Sequence, residues 1–359
     1  MPGFESIVDQ EKPVRLLSSI LQKGNIPHAL LFTGIEGVGK RETANLFAMA
    51  CNCHAITFPE IPHSDTETDH KHGSSSSWPC GVCKSCRKII SGNHPDVISI
   101  QPDKTRIKIG QIRDLFHTLA LKPYEAKYRV VIITDAHALN PEAGNALLKV
   151  LEEPPDRTIL VLTALHLHDL LPTIASRCQH IRFNPISHAV LTDFLVRQKG
   201  ISSGEADLLA TLAKGSLSRT RALVASGWIQ QIAWILGMLG KKDPTGQTTL
   251  ESVTTRLAFS EKLIQNKDGI AETLDILKIW FRDLMIYPLS PDRVVNKDLS
   301  HILKQRSQET EMDDLLSAYD AIQSAQEKIN GNANPRLTLD VMMMKFTRLN
   351  HEKNCRHPI

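Results

Sequence analysis

The chain has 359 residues, of which 42% are hydrophobic, 23% charged and 5% aromatic, with seven cysteines and a formal net charge of +3. These values describe an ordinary globular protein with room for two or three domains, and the charge alone is too small to indicate nucleic-acid binding. No apolar run approaches the length of a membrane span, and residues 1–25 carry charges where a signal peptide needs an apolar core. We therefore expect a cytoplasmic protein without a membrane segment, whose cysteines are thiols or metal ligands rather than disulfides.

The run LLFTGIEGVGKR, residues 30–41, predicts a phosphate-binding loop. A strand over 29–33 precedes three glycines, a lysine and a helix; the loop residues are Gly34, Gly37, Gly39 and Lys40. Glycines let backbone N–H groups face a phosphate, the helix N-terminus adds a positive dipole, and the lysine reaches the outer phosphates. A hydrolysing site has Ser or Thr at the next position to hold magnesium, and here that residue is Arg41. We therefore expect a phosphate-binding loop without its magnesium ligand. Either ATP or ADP binds in this loop, or the side chain of Arg41 occupies it.

Three closely spaced cysteines in the run CGVCKSC predict a metal site. They are Cys80, Cys83 and Cys86. Their thiolates lie within reach of one ion, and a tetrahedral zinc site needs a fourth ligand. We choose Cys53, at the end of the preceding helix; Cys51 and a histidine of the polar insertion at 54–78 are the alternatives. Four thiolates leave zinc no open position for water, so the expected role is structural. The competing interpretation is a chance cluster of free thiols.

A second part of a nucleotide site follows the apolar strand predicted over 129–134. Asp135 stands at the tip of this strand, where a nucleotide-bound magnesium is held in ATPases with a phosphate loop. A hydrolysing ATPase of this plan carries another acid directly afterwards to orient water, and here that residue is Ala136. Together with Arg41, this change argues against hydrolysis by the chain itself more strongly than either change alone.

Strands alternate with helices up to residue 184, and only helical patterns follow. The predicted strands are 29–33, 97–100, 106–109, 129–134, 159–163 and 180–183, and the predicted helices of the last block are 228–239, 253–265, 271–285, 313–329 and 337–349. Alternation of this kind indicates a parallel sheet with helices on both faces. We predict three domains: an α/β nucleotide-binding-type domain over 1–184 with a zinc module at about 51–90, a helical lid over 185–227, and a helical domain over 228–359.

Several runs together resemble one family. They are GIEGVGKR (34–41), CGVCKSC (80–86), NHPDV (93–97), IKIGQIRDL (107–115), NALLKVLEEPP (145–155), IASRC (174–178), WFRDL (280–284) and NANPRL (332–337). A phosphate loop alone occurs in many ATPases, whereas NALLKVLEEPP followed at this distance by SRC is highly specific. The whole chain resembles the bacterial clamp-loader subunits of the AAA+ class, and among them the delta-prime family of DNA polymerase III.

The resemblance implies an AAA+ P-loop domain with zinc, a helical lid, and a helical collar through which five subunits form an open ring. The implied partners are gamma/tau and delta subunits and, through the assembly, the sliding clamp and primed DNA. The resemblance also implies that SRC supplies Arg177 as an arginine finger to ATP on a neighbouring motor subunit, since a guanidinium offers paired donors to the developing charge. A salt bridge at the sheet edge is the alternative for Arg177.

Arg41 and Ala136 depart from the motor subunits and suit delta-prime, which is regarded as a non-hydrolysing member. The first hypothesis is therefore a component of the polymerase holoenzyme, a nucleotidyltransferase complex, without activity of its own. The second is an active ATPase of the gamma/tau type, which would need another magnesium ligand and another water-orienting acid. The third is a zinc-dependent nucleic-acid-binding protein with a vestigial phosphate loop, and the weak net charge counts against it.

Overall fold

The apolar strand that precedes the phosphate loop lies inside a parallel sheet. In the computed structural model, which describes residues 3–55, 79–227, 235, 253–265 and 269–346, the strands are β1 Ala29–Thr33, β2 Val97–Ile100, β3 Arg129–Ile133, β4 Thr158–Ala164 and β5 Gln179–Arg182. Their order is β2-β3-β4-β1-β5, and every neighbouring pair is parallel. β1, β3 and β4 are buried along their whole length, as expected where helices cover both faces.

Alternate residues of β1 point to opposite faces of the sheet and join two separate cores. The helices of this part of the chain are α1 Glu11–Lys23, α2 Lys40–Asn52, α3 Lys84–Ile90, α4 Ile109–Leu119, α5 Pro141–Glu152 and α6 Pro172–Ala175. Leu30 and Phe32 pack in the core formed with α1, α2 and α3, whereas Leu31 packs in the core formed with α4, α5 and α6. The predicted architecture, an α/β domain with a parallel sheet covered by helices on both faces and followed by helices only, is confirmed.

One predicted strand is wrong. Residues 106–109 lie in the described part of the chain, but Arg106 and Ile107 form only single bridges, with Asp103 and Leu139. The reason is an early helix start: the side chain of Gln111 accepts the backbone N–H of Lys108 at 3.0 Å. This contact satisfies a backbone donor that a helix N-terminus leaves open, so α4 begins where the strand was expected to end.

The chain divides into two compact units, Met1–Val190 with Gly215–Ser218, and Leu191–Lys214 with Arg219–Ile359. The helices from residue 188 onward are α7 His188–Lys199, α8 Ser203–Ala213, α9 Leu217–Ala225, α10 Val253–Gln265, α11 Ile270–Ile286, α12 Ser300–Glu309, α13 Met312–Asn330 and α14 Pro335–Lys345. The predicted helix 228–239, apart from residue 235, and the end of the one predicted over 337–349 lie outside the described residues. The division into three domains stays a prediction. Within the described residues, no helix has the length and apolarity needed to cross a membrane.

Two of the runs that carry the resemblance contain a buried carboxylate that fixes a loop. Asp96 of NHPDV accepts the backbone N–H groups of Tyr124, Glu125 and Ala126 at 2.8–2.9 Å. Burial raises the pKa of Asp96, but these three bonds outweigh it and lower the pKa below the ordinary value for Asp. In the second unit, Asp283 of WFRDL accepts the N–H of Asn296 at 2.9 Å. These two carboxylates therefore stabilise the fold.

Candidate functional site

The phosphate loop lies at the carboxyl end of β1, the edge at which open parallel sheets bind ligands. Gly34 has a φ of 148°, and a Cβ at this position would lie 2.6 Å from the carbonyl oxygen of Phe183, so a larger residue does not fit. Gly39 is the N-cap of α2, and Lys40 and Arg41 are its first two residues. The structure thus brings the predicted loop residues together at one helix N-terminus, and Arg41 is exposed.

Lys40 turns back onto its own loop. Its Nζ donates to the carbonyl oxygens of Gly34 at 2.5 Å and Ile35 at 2.8 Å, and the residue is only 8% exposed. Burial lowers the pKa of Lys40, against the opposing effect of negative charge at Asp135 and at two glutamates of the loop and helix. A phosphate bound here would have to replace the two carbonyl contacts.

Residues 216–218 lie against the phosphate loop, although the sequence does not indicate a role for them. The backbone N–H of Leu217 donates to the carbonyl oxygen of Gly37 at 3.0 Å. A Cβ on Gly37 would lie 1.9 Å from Oγ of Ser218 and 2.2 Å from Oγ of Ser216. Both this close approach and a φ of 78° favour glycine at position 37. No local pattern links two segments so far apart in sequence, and this contact could not be predicted.

The strand tip that would hold magnesium is present without its catalytic neighbour. Asp135 directly follows β3 in a left-handed conformation, with a φ of 53°, and its N–H donates to Oγ1 of Thr163 on β4 at 3.0 Å. Ala136 is 1% exposed and packs in the core on the α4–α5 face of the sheet. The position of the missing acid is thus filled by a methyl group inside an apolar core.

Arg177 lies between α6 and β5, with its side chain 37% exposed. One terminal nitrogen contacts the carboxylate of Glu152, the last residue of α5, at 2.8 Å, and the other donates to the carbonyl oxygen of Thr173 at 3.0 Å. The salt bridge named as an alternative for Arg177 is therefore present. These two contacts use two of the five N–H donors of a guanidinium.

The four cysteines chosen from the sequence meet at one point. The Sγ atoms of Cys53, Cys80, Cys83 and Cys86 all lie within 4.8 Å of one another. Four sulfurs at ~2.3 Å from a tetrahedral zinc would lie ~3.8 Å apart, and the Sγ atoms of Cys80 and Cys86 are 3.9 Å apart. Backbone N–H groups of Cys83 and Cys86 approach the sulfurs of Cys80 and Cys83 at 3.4 Å. The donor set and its geometry fit a zinc ion.

Cys51 lies apart from this cluster because it belongs to the last turn of α2 and is fully buried in the core. Cys53 follows the helix as its C-cap, in an extended conformation that allows its sulfur to face Cys80. Burial raises the pKa of Cys80, but N–H donors from the backbone of Val82 and Cys83, together with the neighbouring thiols, outweigh it and lower the pKa to about 7. His54 is exposed outside the cluster, and the other insertion histidines lie outside the described residues.

Comparison with known proteins points to one family over most of the chain. A family model described as "DNA polymerase III, delta subunit" matches residues 9–187, and one described as "DNA polymerase III, delta subunit, C terminal" matches residues 248–348. The first match contains the phosphate loop, the cysteine cluster and Arg177.

Individual relatives are likewise subunits of DNA polymerase III. The chain is 28% identical to the delta' subunit of DNA polymerase III from Bacillus subtilis, over 90% of this chain and 92% of that protein. It is 27% identical to the tau subunit from the same organism, over 97% of this chain but only 62% of the relative's length. Among solved structures, a gamma-subunit-related protein from Thermotoga maritima matches with a TM-score of 0.43 and 18% identity, over 93% of this chain and 99% of that one. On the sequence matches, the chain belongs to the clamp-loader subunits of DNA polymerase III, the family of delta' and tau/gamma.

Proposed function

We propose that the chain is a non-hydrolysing clamp-loader subunit. In this role it forms a five-membered ring with gamma/tau and delta subunits in the cytoplasm, and the ring places the sliding clamp on primed DNA. The subunit supplies Arg177 to ATP bound by the adjacent motor subunit. The observation that carries the proposal is the loss of both hydrolytic groups at a site whose scaffold is otherwise kept: Arg41 replaces the magnesium ligand, and Ala136, buried in the core, replaces the water-orienting acid.

The state of Arg177 supports a role outside its own subunit. The side chain is 37% exposed, and its two contacts leave donors for a further anion. A guanidinium placed against a transferring phosphoryl group stabilises the charge that develops on it.

We propose a structural zinc ion held by Cys53, Cys80, Cys83 and Cys86. Bound zinc supplies no reaction here, since the four sulfurs complete a tetrahedral site. Its expected effect is to tie the segment around α3 to the end of α2, since Cys53 follows α2 and Cys86 lies within α3. The module would then stabilise the unit that carries the phosphate loop.

The purified chain alone should not turn over ATP. Arg41 provides no hydroxyl for magnesium, and the carboxylate that would orient water is missing at Ala136. Phosphate release should therefore stay at the level of a buffer blank, with the gamma/tau motor subunit of the same organism as the positive control. Turnover comparable to that of the motor subunit would contradict the proposal and favour an active ATPase of the gamma/tau type.

Magnesium should not improve ATP binding to the lone chain. Arg41 stands at the ligand position, and the two contacts of Lys40 must be broken before a phosphate binds. At about 1 kcal/mol for each of the two lost hydrogen bonds, the affinity should be about 30-fold weaker than that of an intact motor subunit. Isothermal titration of ATP and ADP, with and without magnesium, measures this. A magnesium-dependent affinity in the micromolar range would be incompatible with the account.

A further inference from the structure

Glu152 and Thr173 hold the guanidinium of Arg177 from two different elements. Glu152 is the last residue of α5, and its carboxylate approaches one terminal nitrogen at 2.8 Å. Thr173 belongs to α6, and its carbonyl oxygen accepts from the other terminal nitrogen at 3.0 Å. Both elements pack in the same core. The guanidinium is therefore fixed at both ends of its fork by parts of the rigid scaffold.

We propose that Glu152 is a positioning residue for the arginine finger. The inference rests on the proposed function, because it assigns Glu152 a role only if Arg177 acts on a neighbour's ATP. Arginine has four rotatable side-chain bonds, and a free side chain would have to be ordered when the phosphate is engaged. An arginine already held in one orientation avoids that loss at the moment of reaction.

The contacts with Glu152 and Thr173 leave N–H donors of Arg177 available for a phosphate. Two terminal N–H groups are used by Glu152 and Thr173, which leaves the N–H of Nε and one N–H on each terminal nitrogen for phosphoryl oxygens. The carboxylate of Glu152 is itself 52% exposed, and an ion pair this open to water contributes little to stability. Removal of Glu152 should therefore change the reaction without changing the fold.

The test is Glu152→Ala in the complete clamp-loader assembly, reconstituted with the gamma/tau and delta subunits of the same organism. We expect the hydrolysis rate constant at the interface with this chain to fall about two- to fivefold, as a freed arginine regains rotamers. The KM for ATP should not change, since the finger acts on the transition state. Glu152→Gln keeps an oxygen acceptor at the same reach and should recover most of the rate. Glu153→Ala is the matched control, because Glu153 is the next residue and is also exposed.

The outcomes separate the two claims. If Arg177→Ala slows hydrolysis and Glu152→Ala does not, the finger stands and the positioning role is wrong. If Glu152→Ala accelerates hydrolysis, Glu152 restrains the finger instead of aiming it, and the inference is again wrong. If Arg177→Ala itself has no effect, the proposed function fails first. Glu152→Ala should add nothing in an Arg177→Ala background, because coupled residues are not additive; an added loss there would place Glu152 in another role.

Discussion

Replacement of Arg177 by alanine should remove one ATP from the burst of hydrolysis expected of the proposed ring. The side chain is 37% exposed between α6 and β5, and an arginine finger contributes ~10³–10⁵ in rate at the site that it completes. Loss of that factor makes the affected site silent on the timescale of the others, so a rapid-quench count of ATP hydrolysed per ring measures it directly. The lone chain should fold as before, because an exposed salt bridge contributes no more than ~1 kcal/mol.

Two variants define what the arginine does. Arg177→Lys keeps the charge but loses the planar fork, so we expect it to resemble alanine rather than the wild type. Lys149→Ala removes an exposed cation from α5, one turn before Glu152, and should leave the burst unchanged. A full burst from the Arg177→Ala ring would show that the motor subunit takes its finger from elsewhere. A partial loss shared by Lys149→Ala would indicate a general effect of surface charge.

Substitution of Cys83 by serine should abolish zinc binding. The intact chain should hold one zinc per molecule, since four sulfurs lie within 4.8 Å of one another. A structural zinc site contributes ~10–16 kcal/mol of binding free energy in zinc-finger peptides, most of it coupled to folding. Because only the segment around α3 depends directly on the ion, we expect the thermal midpoint to fall on the order of 10 °C rather than complete unfolding. Metal analysis by mass spectrometry and a thermal melt provide the two readings.

The choice of the fourth ligand is tested by a matched pair. Cys53→Ser should lose the metal, whereas Cys51→Ala should keep it, because Cys51 is buried in the core within α2 and lies outside the cluster. Cys178→Ser, at a thiol far along the chain from the cluster, controls for a nonspecific effect of thiol removal. Stoichiometric zinc in Cys53→Ser, or a well-folded wild-type chain free of zinc, would contradict the assignment.

The sequence was most informative where local pattern and burial agree. The strand Ala29–Thr33 and the helix Pro141–Glu152 have the predicted bounds. A short, wholly apolar run is typical of a buried strand, and a proline at the start of an amphipathic segment marks the first residue of a helix. Helix α12, Ser300–Glu309, was not predicted because its sequence SHILKQRSQE is largely polar and only Leu303 is buried. Such a helix is stabilised by its neighbours rather than by its own apolar face.

The candidate site shows a similar division. The spacing of Cys80, Cys83 and Cys86 was enough to predict three ligands of one metal site. Cys53 was predicted as the fourth ligand because it lies at the end of the preceding helix. The contacts of Gly37 with residues 216–218 and of Arg177 with Glu152 join segments that are distant in sequence. Contacts of this kind depend on the tertiary fold, and neither the hydrophobic periodicity nor the local propensity of a segment predicts them.

The central claim is that the guanidinium of Arg177 contacts the nucleotide bound by the adjacent subunit. Its most direct test is a structure of the assembled ring with an ATP transition-state analogue in the motor subunits. We predict that the guanidinium of Arg177 lies within ~3.2 Å of the terminal phosphoryl oxygens of the adjacent subunit, with Glu152 still in contact behind it. A guanidinium that points away from every neighbouring nucleotide would contradict the account.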